Sequence, residues 1–249
     1  MTTGTTSDAD RSRHRPAARR GRRSWRRWLM AGVVAVVALA VGGPFVYIHF
    51  LEGKAPATLS VATSGQATGP AAGPTTSVEG TWKVASGSLV GYRVKEDLFG
   101  QNTTAVGRTS QVTGGMTITG ATVTKATFIA DMTTVASDRS ERDAQFRERI
   151  MEVSRYPTAR FTLTQPIALG SIPAAGVTVT EQAHGTLTLH GTTRTVTITL
   201  TTVHRGSTIQ TSSQIPVAFA DYNISNPSFG PVTTQNHGIL EVLLTLAKS

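Results

Sequence analysis

The chain has 249 residues, of which 39% are hydrophobic and 16% charged, with a formal net charge of +9 and no cysteine. That length suffices for one substantial domain or two small ones, and the missing cysteine excludes disulfides, thiolate metal sites and cysteine nucleophiles. Nine arginines in residues 1–28, against Asp8 and Asp10, carry +7 of the charge, so the remainder lacks the basic excess of a nucleic-acid surface and no nucleic-acid partner is expected.

Taken in chain order, residues 1–28 are a basic, unstructured tail. Residues 29–51, LMAGVVAVVALAVGGPFVYIHFL, contain no Asp, Glu, Lys or Arg. A helix of this length is roughly 34 Å long, enough to cross a bilayer core. Trp25 and Trp28 at one end, with Phe45, Tyr47, His49 and Phe50 at the other, suit interfacial anchors, and Pro44 suits a kink. Arginines before the span and only Lys54 just after it predict a cytoplasmic N-terminus and an extracytoplasmic remainder: a single-pass cell-membrane protein. A signal peptide cleaved at Ala55-Pro56-Ala57 is the competing reading; an apolar stretch this long favours a retained anchor.

Residues 52–78 are rich in Ala, Gly, Thr, Ser and Pro and read as a flexible linker. The folded domain is then 79–249. Its dominant period is two. Leu187 and Leu189 alternate with Thr186 and Thr188, and past a turn at His190-Gly191 so do Val196, Ile198 and Leu200 with Thr195, Thr197 and Thr199. These are half-buried antiparallel strands. The same alternation marks 114–120, 125–132, 159–167, 214–222 and 238–246, which predicts a sandwich or barrel. One segment, 140–153, has helical spacing in Phe146, Ile150 and Val153. Ser140 and Asp143 resemble a capping box there, and Pro157 is the stop signal. A single helix over an end or side of the sheet is expected.

Catalytic and metal motifs are missing: there is no G-x-S-x-G, H-E-x-x-H or P-loop. His184 and His190 share the parity of the threonines, on the polar face or in the turn, and six residues of strand put them roughly 20 Å apart. They cannot share an ion. His204 keeps the inward parity of Ile198 and Leu200, and His237 precedes the last strand. Asp138, Glu141 and Asp143 suit a solvated helix start. No enzyme activity, metal or cofactor is expected.

Read together, EGTWKVASGSLVGYRVKE (79–96), RSERDAQFRERIMEVSRYPTARF (139–161), HGTLTLHGTTRTVTITL (184–200), YNISNPSFG (222–230) and HGILEVLLTL (237–246) resemble the YceI-like family of lipid-binding proteins. The resemblance covers essentially the whole domain and implies an extended, lipocalin-like antiparallel β-barrel of about eight strands with one short helix. It implies an apolar tunnel that carries a long isoprenoid or other long-chain lipid without turnover. The candidate lipid-binding residues are the inward apolar ones: Trp82, Val84, Tyr92, Val94, Phe128, Phe161, Leu163, Leu187, Leu189, Val196, Ile198, Leu200 and Phe219. The chain departs from the family pattern in GSLVGYRVKE (87–96), where Glu96 stands in place of a histidine. The alternative is a structural or partner-binding envelope domain whose barrel is filled by its own side chains, and a homodimer is left open.

Overall fold

The computed structural model describes residues 28–38, 55–61, 77–98, 100–170, 174–230 and 232–249. The chain divides into two compact units, Met1–His49 and Phe50–Ser249. In the first, residues 28–38 form a helix, α1, with exposed Val33, Val34 and Val36. Residues 39–51 of the expected span, and the basic tail to residue 27, lie outside the described residues. Among the described residues no helix is long and apolar enough to cross a membrane.

The second unit is built from strands β1 (Gly80–Val84), β2 (Leu89–Leu98), β3 (Gln101–Thr109), β4 (Val112–Thr119), β5 (Thr122–Asp131), β6 (Thr158–Leu163), β7 (Ile167–Ala168), β8 (Thr178–Leu189), β9 (Thr192–Arg205), β10 (Thr208–Ala218), β11 (Val232–Thr234) and β12 (His237–Lys248). Their registers reveal eight staves. Along β12, Trp82 to Val84 face Lys248 to Leu246, and Leu89 to Arg93 then face Leu243 to Ile239, so β1 and β2 are one long strand interrupted at 85–88. In the same way β4 runs beside β1 and β3 beside β2. Next come β5, β6, β8, β9 and β10, each antiparallel to its predecessor, and β12 closes the ring on β1. Every stave follows its neighbour in the chain, which makes this an up-and-down barrel, as the family resemblance implied where the alternation alone left a sandwich open.

Local chemistry explains the joints. At the 85–88 interruption the buried Ser88 hydroxyl lies 2.9 Å from the Ala85 carbonyl and accepts from Thr245 N at 3.0 Å, replacing ladder bonds the break removes. Between β8 and β9, His190 (φ 49°) and Gly191 (φ 71°) both take left-handed conformations, the geometry of a type I′ hairpin. A Cβ on Gly191 would strike the Tyr156 ring. The wall has two seams. At one, β9 pairs with β10 only over Thr201–Arg205, so among the described residues Thr192–Leu200 have a ladder partner on the β8 side alone. At the other, β6 pairs with β8 only over Gly185–Thr188; the chain then leaves to form β7 on β5. Among the described residues, Thr178–Ala183 have a ladder partner on one side only, β9.

Two expectations change. The predicted helix 140–153 is shorter: α2 (Ser140–Gln145) passes into a single π turn, Phe146–Ile150. Glu152 takes φ 42°, which ends the helical path five residues before Pro157. Ser140 makes no cap; the Asp143 carboxylate instead accepts from Ser137 N at 2.8 Å and fixes the loop ahead of the helix. The segment 52–78, read as a flexible linker, includes a strap of residues 55–61 that lies on the barrel. Its Leu59 and Val61 are buried, Val61 N donates to Ser212 Oγ at 3.1 Å, and Arg93 donates to the Pro56 carbonyl at 2.6 Å. Arg108 donates to the Ala57 carbonyl. These contacts offset the entropy that keeps such a composition unstructured on its own. Residues 52–54 and 62–76 lie outside the described residues.

Candidate functional site

Strand alternation sends one set of side chains into the barrel, and they do not fill it. Two cavities result. The larger holds about 1420 Å³ of space unoccupied by atoms, counted to its open mouth, between the inner faces of β4 to β6, β8 to β10 and β12. The smaller, about 830 Å³, lies between β2, β12, the 3₁₀ turn Phe219–Tyr222, α2 and the π turn. Val90 and Leu240 belong to both linings, so the two chambers adjoin. The walls are almost wholly aliphatic and aromatic, the composition of a site for an apolar ligand.

Ten of the thirteen candidate residues line these chambers. Phe128, Phe161, Leu163, Leu187, Ile198 and Leu200 face the larger; Tyr92, Val94, Leu189 and Phe219 face the smaller. Trp82, Val84 and Val196 do not. Trp82 is fully buried packing: its Nε1 donates to the Val78 carbonyl at 2.7 Å, and its ring meets the His204 ring edge-on at 6.1 Å. Val84 and Val196 are half-buried against the core. Val196 pairs with Gly185, over which the Phe161 ring lies, so Phe161 occupies the interior at that level.

Sequence reasoning left out other wall residues. Met116, Ile118, Leu240, Val242 and Leu244 line the larger chamber, and their alternation was already visible. Thr211, Ser213 and Glu181 line it too, without an apolar signal to mark them. The parity of Leu187 and Leu189, carried back along β8, is the signal that finds Glu181.

In the smaller chamber Tyr92 stacks on Phe146, rings 5.0 Å apart and inclined by 14°. Burial holds the Tyr92 phenol well above the ordinary tyrosine range, with nearby Arg142 opposing the shift. Arg142 itself pairs with Asp138. Of the histidines, His184 is exposed and bonds Thr197 Oγ1 at 2.9 Å, and His237 is exposed beside Asn236. His190 sits in the turn but is buried: it meets Tyr156 edge-on at 4.6 Å, with Nε2 3.5 Å from Glu152. His204 lines the larger chamber with Nε2 2.6 Å from the Gly206 carbonyl, to which it donates. Among the described residues no three His, Asp or Glu side chains converge on a metal position.

A sequence model of the YceI-like domain matches residues 73–245. The chain belongs to the YceI-like family. Solved structures similar to this YceI-like barrel include a polyisoprenoid binding domain from Saccharophagus degradans implicated in plant cell wall breakdown. It is 17% identical with a TM-score of 0.56, covering 68% of this chain and 98% of that one. BcnA of Burkholderia cenocepacia is 19% identical with a TM-score of 0.48, covering 62% and 95%. The YceI protein of Campylobacter jejuni is 12% identical with a TM-score of 0.42, covering 76% and 98%. Among the curated proteins none matches the chain.

Proposed function

We propose that this YceI-like protein binds and carries a long-chain isoprenoid-type lipid in its two adjoining chambers. It does so outside the cytoplasmic membrane, to which residues 29–51 hold it. The observation that carries the reading is the pair of apolar chambers sharing Val90 and Leu240: a bent, chain-like ligand suits them better than a compact one. Each methylene taken from water contributes about 0.8 kcal/mol, so a long tail binds firmly with few polar contacts. The polyisoprenoid-binding description of the Saccharophagus relative points the same way. The arginines ahead of residue 29 support the orientation. The role is carriage, not turnover.

Native mass spectrometry of the full chain, followed by extraction and identification of co-purified lipid, tests the proposal; a prenyl-type lipid at one copy per chain is expected. Phe128→Arg, which puts a charge into the larger chamber, lowers retention of a fluorescent prenyl probe by more than about tenfold, whereas His184→Ala leaves it within about twofold. Finding no lipid and no probe uptake supports a self-filled structural barrel instead. Protease added to intact cells cleaves the barrel domain if the orientation is right.

A further inference from the structure

We infer that the lipid's polar head sits at the rim of the larger chamber beside Glu181, and that it is an uncharged hydrogen-bond donor of the alcohol class rather than a phosphate. This rests on the carriage reading above and assigns the end of the ligand that the apolar walls leave undefined.

The rim is identified by Val177, which lines the larger chamber and yet is 48% exposed. Its loop is fixed there, because Gly176 N donates to the His204 carbonyl at the end of β9 at 2.8 Å. Val179 and Glu181 follow along β8 with the same parity and line the same chamber. Across β9 and β10 the lining at this level is also polar: Thr202 Oγ1 donates to Thr211 Oγ1 at 2.8 Å, and Ser213 Oγ donates to the Thr199 carbonyl at 2.8 Å. A wall that is mostly apolar carries carboxylate and hydroxyl oxygens here.

Glu181 is partly buried, and among the described residues it has neither a hydrogen bond nor an ion pair. An inward carboxylate in an otherwise apolar wall is costly unless something donates to it. Among the described residues of this lining, no lysine or arginine side chain faces it. Arg160, the one arginine in this lining, is on β6 with an outward register and pairs with Thr188, seven residues from Glu181 along β8. His204 has its Nε2 committed to Gly206. A phosphate brought to this rim meets a negative charge with no compensating positive one, so the two repel. A hydroxyl donates to the carboxylate and meets no such penalty.

The test is displacement of a fluorescent prenyl probe from the full-length chain in amphipols, using a polyprenol and the polyprenyl phosphate of equal length. For the wild type the alcohol is expected to displace at a concentration at least about tenfold below the phosphate. In Glu181→Gln, which keeps an acceptor and loses the charge, the gap shrinks to less than about threefold; Glu181→Lys reverses it. Equal or tighter phosphate binding by the wild type overturns the head assignment alone, as does a gap unchanged in both variants. A chain that takes up no probe overturns the carriage reading and this inference with it.

Discussion

Glu241 is the residue whose placement demands most explanation. Its neighbours Leu240 and Val242 line the cavity, so alternation turns Glu241 outward, and yet its side chain is fully buried. Two arginines from adjacent staves make this possible: Arg93 Nε lies 2.6 Å from Oε1 and Arg108 Nη2 3.0 Å from Oε2. Both arginines also donate to carbonyls of the strap. Glu241→Ala strands two cations beneath the strap and should lower stability by about 3 kcal/mol in a denaturant titration. Glu241→Gln should lose less. Tyr92 makes a second prediction. Its phenol titrates higher folded than unfolded, so the folded state holds the proton more tightly. The stabilisation is complete below the ordinary value near pH 10 and is lost as pH rises from there toward the folded value. Denaturant midpoints above that pH should fall more steeply in the wild type than in Tyr92→Phe.

At the scale of elements, the strands with strict alternation were readable because each buries one face; β9 and β12 declare themselves through Ile198, Leu200, Leu240 and Val242. The merging of β1 with β2 and of β3 with β4 into single staves was not readable, since a break such as 85–88 looks like any turn until its flanks are seen against one partner. The strap was hidden for a different reason. Alanine, proline and threonine carry no periodic signal, and the arginines that bind it lie 37 and 51 residues away. For α2 the apolar spacing was legible but the cap was misassigned, because Asp143 reaches back past Ser140 to Ser137 N. Asp143→Ala should therefore cost about 1 kcal/mol and loosen the loop 136–139, visible as faster amide exchange at Ser137.

For the molecule as a whole, the family match begins at residue 73, but the barrel's outer wall recruits residues 55–61. A fragment of residues 55–249 should be more stable than one of residues 77–249 by about 2 kcal/mol, measured by urea unfolding, since the shorter piece exposes the surface under Leu59 and Val61 and unpairs Arg93 and Arg108 from their carbonyls. The inward-facing set was mostly legible too. Leu187 and Ile198 follow from parity, whereas Trp82 and Val84 share that parity and serve as packing; no one-dimensional pattern separates a filled level of a barrel from an empty one.

The seam along Thr178–Ala183 bears on how fast the proposed lipid would exchange. Where two staves are laddered, parting them breaks backbone hydrogen bonds, each expensive to leave unmade away from water. Among the described residues, β8 has no ladder on its β6 side over Thr178–Ala183, and the chamber behind it is the larger one. A tail of the proposed lipid leaving sideways there would meet side-chain packing rather than a ladder. Under the carriage role proposed above, residence time would depend on Val179 and Leu163, which line the chamber at that gap.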